Sequence, residues 1–415
     1  MKKSLLFTGH YLLTFLEWAC IAALTGAACG VIGALFHHAI EWAASLRASH
    51  HWIYFLLPLG GMAVVGVYRL LRVDTSTGMN DVIDVVRSDA QLPVGLGPSI
   101  FAGTVLSQLA GASTGREGAA IQLGAGVAAA LNRLFRLKEE NLRPLLLCGM
   151  GAVFAAMFGT PVAAALFIVE FIDVGEMRYA RIVPCMVGAV IAYVVAAGLG
   201  AAPVRYTLET IPELSVIPLL QTGALSIAAA GMSIVFCMGV HGAHELCHRT
   251  VKNDFVRAAA GGAALLGLTL IIGVHDYNGA GMNLVSAAIA GEARPEAFIL
   301  KLAFTALSIF AGFKGGEIVP AFAVGASLGC VLGGLIGMPP GFAAAIGMIA
   351  LFCGVVNCPV ASIVLSVEIF GAEGLPYFAV ACAICYMLSG YYSLYGKQKF
   401  LHEKLGTELV RRKIL

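Results

Sequence analysis

The sequence predicts an all-α integral membrane protein made of two related halves, because it is strongly apolar, contains long runs without charge and repeats itself. Of its 415 residues, 59% are hydrophobic and only 12% are charged, and the mean hydropathy is +0.87. An average soluble domain is roughly 25% charged, so a soluble globule and a disordered chain are excluded. The net charge of +2 lacks the basic excess of a nucleic-acid-binding protein, and we expect no such partner.

Long uncharged runs locate the predicted membrane helices, each of which needs about 20 apolar residues to cross the bilayer. These runs are 18–36, 94–115, 144–169, 182–204, 214–240, 318–367 and 374–396. The run 318–367 is long enough for at least two crossings. Shorter apolar segments at 118–132, 277–291 and 302–313 predict discontinuous helices that end inside the membrane. Such ends are tolerated only where the freed backbone groups face protein or a water-filled cavity.

Two pairs of segments repeat in the same order along the chain. Ala119, after Gly115-Arg116-Glu117-Gly118, corresponds to Pro320, after Gly316-Glu317-Ile318-Val319, at an offset of 201 residues. Segment 161–170 corresponds to 359–368 at an offset of 198. We therefore predict one transmembrane domain over 1–415, with repeats at roughly 50–200 and 214–395, a C-terminal cytoplasmic helix at roughly 396–415 and no soluble regulatory domain. Repeats of this kind are typical of transporters whose site lies at the repeat interface, near the membrane midplane.

Two glutamates inside the apolar sequence are the leading functional candidates, because ionisable residues in membrane segments are usually functional. Glu117 begins an apolar helix, where unpaired N–H groups and the helix dipole attract anions. Its carboxylate can occupy that anion site itself and leave when protonated, which makes it a gate and a proton carrier. Glu317 lies in the corresponding glycine-containing segment of the second half and is a candidate for proton relay. The alternatives are a helix-stabilising role for Glu117 and an ion pair of Glu317 with Lys314.

Glu170 and Glu368 are also related by the duplication, each lying at the end of an apolar run. One proton path rarely needs both members of a symmetric pair. We therefore expect them to have helix-end or packing roles.

Four segments resemble motifs of the CLC chloride channel and transporter family, and they appear in the family's order. They are Gly115-Arg116-Glu117-Gly118 with the following Ala-Ile-Gln-Leu-Gly, residues 315–325, residues 158–163 and Ser393-Leu394-Tyr395-Gly396. The resemblance implies two inverted-topology repeats, discontinuous helices that meet at a midplane anion site, and a homodimer with one pathway per subunit.

Three departures resemble the fluoride/proton antiporter branch of that family. Met79 stands where ordinary members carry an anion-binding serine, Phe171 replaces an internal proton glutamate, and Glu317 replaces an apolar residue. The branch resemblance implies a transporter rather than an enzyme, without cofactor or metal, that exchanges fluoride for protons across the bilayer and confers fluoride resistance. It makes Glu117 the gate and Glu317 a second proton-transfer group. The implied anion pathway contains Gly78, Met79, Asn80, Gly115, Arg116, Glu117, Gly118, Ile318, Val319 and Tyr395.

Composition and spacing alone do not distinguish fluoride from chloride. A chloride/proton antiporter and a passive chloride channel of the same fold remain as alternatives. Asn80 either contributes a polar contact to the anion or caps its helix.

His244-Glu245-Leu246-Cys247-His248 matches the H-E-x-x-H pattern of zinc proteases, and His241 adds a third imidazole. A membrane zinc protease is therefore a remote alternative. Against it, the motif leaves a long apolar run beside Arg249 and Lys252, where amphipathic residues gather at the water interface.

Basic residues are concentrated at both ends of the chain, at Lys2, Lys3 and in 397–413. The positive-inside rule therefore predicts that both termini are cytoplasmic. The expected location is a bacterial inner (plasma) membrane.

Overall fold

The computed structural model describes residues 2–88, 91–135 and 139–406, in which nearly all regular structure is helical. The helices are α1 (Lys2–Ser49), α2 (Leu57–Leu70), α3 (Met79–Arg87), α4 (Leu96–Ala110), α5 (Glu117–Phe135), α6 (Glu139–Phe158), α7 (Pro161–Phe171), α8 (Ile182–Gly198), α9 (Val216–Thr250), α10 (Asp254–Ile272), α11 (Met282–Ile289), α12 (Ala297–Phe310), α13 (Ile318–Ile336), α14 (Pro340–Val356), α15 (Pro359–Phe370) and α16 (Leu375–Leu388). Short 3-10 helices cover His51–Leu56 and Tyr179–Arg181. Strands β1 (Asp173–Val174) and β2 (Lys399–Phe400) pair in parallel.

Seven helices in these ranges are long and apolar enough to cross a membrane, which agrees with the predicted membrane class. The uncharged run 318–367 forms α13, α14 and most of α15. Of these, α13 is long enough to be a candidate membrane span, and the expected second crossing in this run stays a prediction. Helix α11 has 8 residues and is only about 12 Å long at 1.5 Å per residue. It is too short to span, as expected for 277–291. Segment 118–132 instead belongs to α5, which is longer than expected at 19 residues.

The predicted C-terminal helix is wrong for residues 396–406, which contain strand β2 and turns. Their backbone pairs with β1 instead of closing helical hydrogen bonds. Residues 407–415, the rest of that prediction, lie outside the described residues.

Helices α1–α8 and α9–α16 form the two halves. Helix α5 begins at Glu117 and α13 at Ile318, while α7 begins at Pro161 and α15 at Pro359. The packing is repeated, since α1 contacts α8 as α9 contacts α16, and α5 contacts α6 as α13 contacts α14. Because α1 corresponds to α9, the first repeat begins within α1. The predicted start near residue 50 is therefore too late.

The halves meet at the backbone of two glycines. The N–H of Gly115 donates to the carbonyl of Gly316 at 2.5 Å, and the N–H of Gly316 donates back to Gly115 at 2.8 Å. This antiparallel bridge joins equivalent residues of the two repeats by reciprocal bonds. Reciprocity of this kind indicates a two-fold relation between the halves, which is the inverted topology expected from the duplication.

Two glutamates cap helices of the opposite half in the same reciprocal way. The Glu170 carboxylate accepts the N–H groups of residues 360–361 at 3.1 and 2.8 Å. The Glu368 carboxylate accepts those of residues 162–163 at 3.0 and 2.8 Å. Each carboxylate satisfies free donors at a helix start that begins with proline, a residue well suited to the first helical position. These contacts confirm the predicted helix-end role.

Replacing Glu170 by alanine should lower stability, because two N–H groups at the start of α15 lose their acceptor inside the protein. The expected loss is about 1–3 kcal/mol, the cost of leaving buried donors unpaired. The measurement is the midpoint of thermal unfolding in detergent. The control is Glu373→Ala, which removes an exposed carboxylate from the turn between α15 and α16. Equal midpoints for the two variants would contradict the capping role.

Candidate functional site

A cavity of about 810 Å³ opens where the starts of α3 and α13 meet the last part of α9 and the C-terminal segment. Five residues predicted from sequence line it: Gly78, Met79, Asn80, Glu317 and Tyr395. The other predicted residues are buried and are not among its lining residues: Gly115, Arg116, Glu117, Gly118, Ile318 and Val319. The predicted site residues therefore form two groups. One group lines the cavity, and the other is buried beside the backbone bridge between Gly115 and Gly316.

Helix α3 begins at Met79, whose thioether side chain lines the cavity. The helix start is capped by Asp81, whose Oδ2 accepts the N–H of Gly78 at 2.8 Å. The Oδ1 of Asn80 instead accepts the backbone N–H of Lys397 at 3.1 Å. Asn80 is therefore not the cap of its own helix. Its side chain ties the C-terminal segment to the start of α3.

Glu117 is completely buried, at 0% exposure, as the first residue of α5. Its Oε2 accepts the backbone N–H of Arg116 at 3.0 Å, and its Oε1 lies 3.4 Å from the Nε of Arg116. The carboxylate therefore accepts a hydrogen bond from a backbone N–H at a helix start, and helix starts are positions that bind anions.

Glu317 precedes α13 and is half-buried, with its side chain at the cavity. Lys314 and Glu317 attract each other electrostatically, but the hydrogen bonds of the Lys314 ammonium go to another segment. The Nζ of Lys314 donates to the carbonyls of Thr75 at 2.6 Å and Thr77 at 3.3 Å. Lys314 thereby holds the loop that leads into α3, and Glu317 remains available to the cavity.

Tyr395 is 3% exposed, and its hydroxyl makes no hydrogen bond within the described part of the chain. Phe171 packs its ring edge-on against Tyr395, with centroids 4.9 Å apart. An aromatic ring therefore stands at the position where the family resemblance places a proton-transferring glutamate in ordinary members. The Nε2 of Gln398 donates to the carbonyls of Phe171 and Val356, each at 2.8 Å. Its backbone N–H donates to the carbonyl of Tyr395 at 2.9 Å, so Gln398 contacts both residues of the ring pair.

Sequence reasoning missed Gln122, which lines the cavity and is 5% exposed. Its Nε2 donates to the carbonyl of Gly118 at 3.3 Å, and its Oε1 has no hydrogen-bond partner among the described residues. The available signal was its place one turn after Gly118 in the repeated motif.

A repeated tripeptide was also missed. Gly281-Met282-Asn283 at the start of α11 repeats Gly78-Met79-Asn80 at the start of α3. Met282 does not line the 810 Å³ cavity. The duplication therefore kept the tripeptide in both halves, and only one copy faces the cavity.

The H-E-x-x-H segment lies in the last part of α9. A ring nitrogen of His241 lies 3.2 Å from the carbonyl of Leu394, and Glu245 forms an ion pair with Arg249. Within the residues that were described, no group of three or more His, Cys, Asp or Glu side chains is arranged to hold a metal. The side chain of His248 lies outside the described set.

Two inverted halves, helix starts around a polar cavity and carboxyl groups beside that cavity define an integral membrane protein of the ion-transporter class. Residues 60–390 match the voltage-gated chloride channel family. A chloride/fluoride channel protein of Pseudomonas syringae pv. tomato is 35% identical over 400 residues, 94% of this chain and 87% of the relative. The chain therefore belongs to the voltage-gated chloride channel (CLC) family.

Further relatives include the H⁺/Cl⁻ exchange transporter ClcA of Vibrio vulnificus, 25% identical over 95% of this chain and 91% of the relative. A crystal structure of a CLC-type fluoride/proton antiporter superimposes with a TM-score of 0.89 at 30% identity, covering 93% of this chain and 98% of that one. A slow cyanobacterial Cl⁻/H⁺ antiporter shares the fold, with a TM-score of 0.76 at 21% identity over 90% and 94% of the two chains.

Replacing Gly316 by alanine should disrupt the site, because the added Cβ would lie 2.4 Å from the backbone nitrogen of Gly118. Overpacking of this kind typically costs about 1–3 kcal/mol or more, and here it would push the starts of α5 and α13 apart. Thermal unfolding in detergent and ion flux in proteoliposomes measure the effect. The control is Gly267→Ala in α10, where the added Cβ meets no atom within 4 Å. Wild-type flux in the Gly316 variant would contradict the requirement for close contact.

Proposed function

We propose that the protein exchanges fluoride for protons across the membrane. The observation that carries this proposal is the pair of carboxyl residues beside the glycine bridge: Glu117 is sealed, and Glu317 faces the cavity. The chloride/fluoride channel protein and the fluoride/proton antiporter structure described above support the same function.

The physical argument for fluoride concerns its water shell. Fluoride is small and strongly hydrated, so a site must replace its water with close N–H donors. Unpaired N–H groups at the starts of α3, α5 and α13 are suited to this, and the Tyr395 hydroxyl adds a donor. The Met79 thioether offers only a soft, apolar contact at the position where a serine would donate to chloride.

The argument for proton coupling follows from access. Glu317 lines the cavity and can exchange protons with water there, whereas Glu117 is buried on a backbone N–H. Protonation of Glu117 neutralises its carboxylate, weakens its hold on that donor and lets an anion replace it. Phe171 leaves no carboxyl at the alternative internal position, so Glu317 takes the role of proton donor to the gate.

Replacing Glu117 by glutamine should abolish coupled proton movement, because the amide cannot carry the proton. We expect a loss of about two orders of magnitude, in the range that positioned acid–base groups contribute. Fluoride-loaded proteoliposomes, followed by a fluoride electrode and a pH dye, measure both ions. Glu368→Gln is the control, since Glu368 caps α7 outside the proposed pathway. Undiminished proton movement in the Glu117 variant would defeat the gating role.

Replacing Met79 by serine should weaken the preference for fluoride over chloride. The new hydroxyl adds a hydrogen-bond donor to the larger anion, and hydrogen bonds to charged groups contribute about 1.5–3 kcal/mol. The measurement is the ratio of fluoride to chloride flux in proteoliposomes. Met282→Ser is the matched control, because it makes the same change in the same tripeptide away from the cavity. An unchanged ratio in the Met79 variant would show that Met79 does not contact the anion.

The second candidate function is chloride/proton exchange, which the Vibrio relative supports. Equal fluoride and chloride fluxes through the wild-type protein would favour it, and anion flux without proton movement would favour a passive channel.

The wider proposal is a transporter without enzymatic activity that acts as a homodimer in the lipid bilayer. We place it in a bacterial inner membrane with both termini cytoplasmic, where removal of fluoride confers resistance. A single transport domain suffices for this activity, with Gly78, Met79, Asn80, Gly115, Arg116, Glu117, Gly118, Ile318, Val319 and Tyr395 along the pathway.

A further inference from the structure

A series of polar side chains leads from an exposed position on α1 to the buried Glu117. The Glu41 side chain is 56% exposed, and its Oε1 lies 2.9 Å from the Nε2 of His37. His37 is 2% exposed, and its Nδ1 lies 3.4 Å from the Nη1 of Arg116. The Nε of Arg116 lies 3.4 Å from the Oε1 of Glu117. Glu41, His37 and Arg116 do not line the 810 Å³ cavity, so this series reaches the gate by another route.

The chemistry of each neighbour defines the tautomer of His37. An ionised Glu41 only accepts hydrogen bonds, so the Nε2 that faces it carries the proton. The Arg116 guanidinium only donates, so the Nδ1 that faces it must carry the lone pair. In this neutral imidazole the proton faces Glu41 and the lone pair faces Arg116. A second proton on Nδ1 would remove the acceptor and place two positive charges in contact.

Building on the proposed function, we infer that His37 is a positioning residue for the gate. Neutral His37 holds Arg116 and limits its approach to Glu117. When Nδ1 takes up a second proton, it can no longer accept from Arg116, and Arg116 is released toward the Glu117 carboxylate. Closer positive charge stabilises the ionised carboxylate and opposes its protonation. His37 thereby makes gate opening depend on pH.

The charged groups around His37 support this assignment. Glu41 and His38 act on it from its own helix, and Arg116 acts from the segment before α5. The ring of His38 lies 5.5 Å from that of His37. A ring nitrogen of His38 lies 2.9 Å from the carbonyl of Leu199, so His38 shares the local field but not the contact with Arg116. This makes His38 a matched control.

The test compares two replacements of His37 in proteoliposomes. His37→Gln keeps an acceptor for Arg116 and a donor for Glu41 but cannot take a second proton. His37→Leu removes the acceptor altogether. Fluoride-driven proton flux is measured for both variants, for His38→Gln and for wild type. The pH is varied equally on both sides between about 5.5 and about 7.5, the range in which imidazole ordinarily titrates.

We expect His37→Leu to slow proton flux about tenfold at the higher pH, since Arg116 loses an acceptor and turns to Glu117. His37→Gln should match wild type at that pH and exceed it about threefold at the lower pH, where a larger fraction of wild-type His37 carries the second proton. Glu41→Ala removes an exposed group and so should fold normally. Without Glu41, the proton of neutral His37 is no longer held on Nε2. The dependence of proton flux on pH should therefore become weaker, although Arg116 itself is unchanged.

Two results would overturn the inference. The first is that the ratio of His37→Gln flux to wild-type flux is the same at every pH. The second is that His37→Leu and His38→Gln have equal flux. If wild-type protein exchanges fluoride for protons and either result appears, the role of His37 fails alone. If wild-type protein shows no exchange, the proposed function fails instead.

Discussion

The arrangement of the site depends on the reciprocal backbone pairing of Gly115 with Gly316. A side chain at Gly316 would collide with the backbone of the opposite half. The two backbone segments can therefore approach this closely only where glycine is present. The pairing brings the starts of α5 and α13 together, and with them Glu117 and Glu317. A Cβ at Gly118, the residue after Glu117, would lie only 3.7 Å from the Oε2 of Glu317. The closeness of the Glu317 side chain to the start of α5 is thus a consequence of the backbone contact.

Much of the architecture could be predicted from local properties of the sequence. Low charge identified the membrane class, and the equal spacing of Glu170 and Glu368 in the repeats indicated a shared helix-end or packing role before any contact was known. The C-terminal segment could not be predicted in this way. Its conformation depends on partners far away in the chain, such as the carbonyl of Phe171, 227 residues from Gln398. No local pattern of hydrophobicity or helix propensity records a bond of that kind.

The candidate site shows the same division. Glu117 and Glu317 stood out from the residues alone, because charge is scarce in an apolar chain. Met79 and Tyr395 entered through family resemblance, and both lie at the cavity. Asn80 was expected to contact the anion or cap its helix, but its side chain binds the C-terminal backbone. Gln122 was overlooked because a neutral amide in an apolar helix carries no charge signal. Its place one turn after Gly118 was the signal that the sequence offered, and its position at the cavity makes it a site candidate.

The reciprocal capping of α7 by Glu368 and of α15 by Glu170 affects how the protein folds during synthesis. Synthesis proceeds from the N-terminus, so α7 enters the membrane well before its cap exists. The acceptor for Ala163 is supplied by Glu368, 205 residues later. Until then the backbone N–H groups at the start of α7 lack their carboxylate acceptor, which only the completed second half supplies. Contacts of such sequence separation slow folding. The nascent first half is therefore expected to be an incompletely folded client of the insertion machinery rather than an independent folding unit.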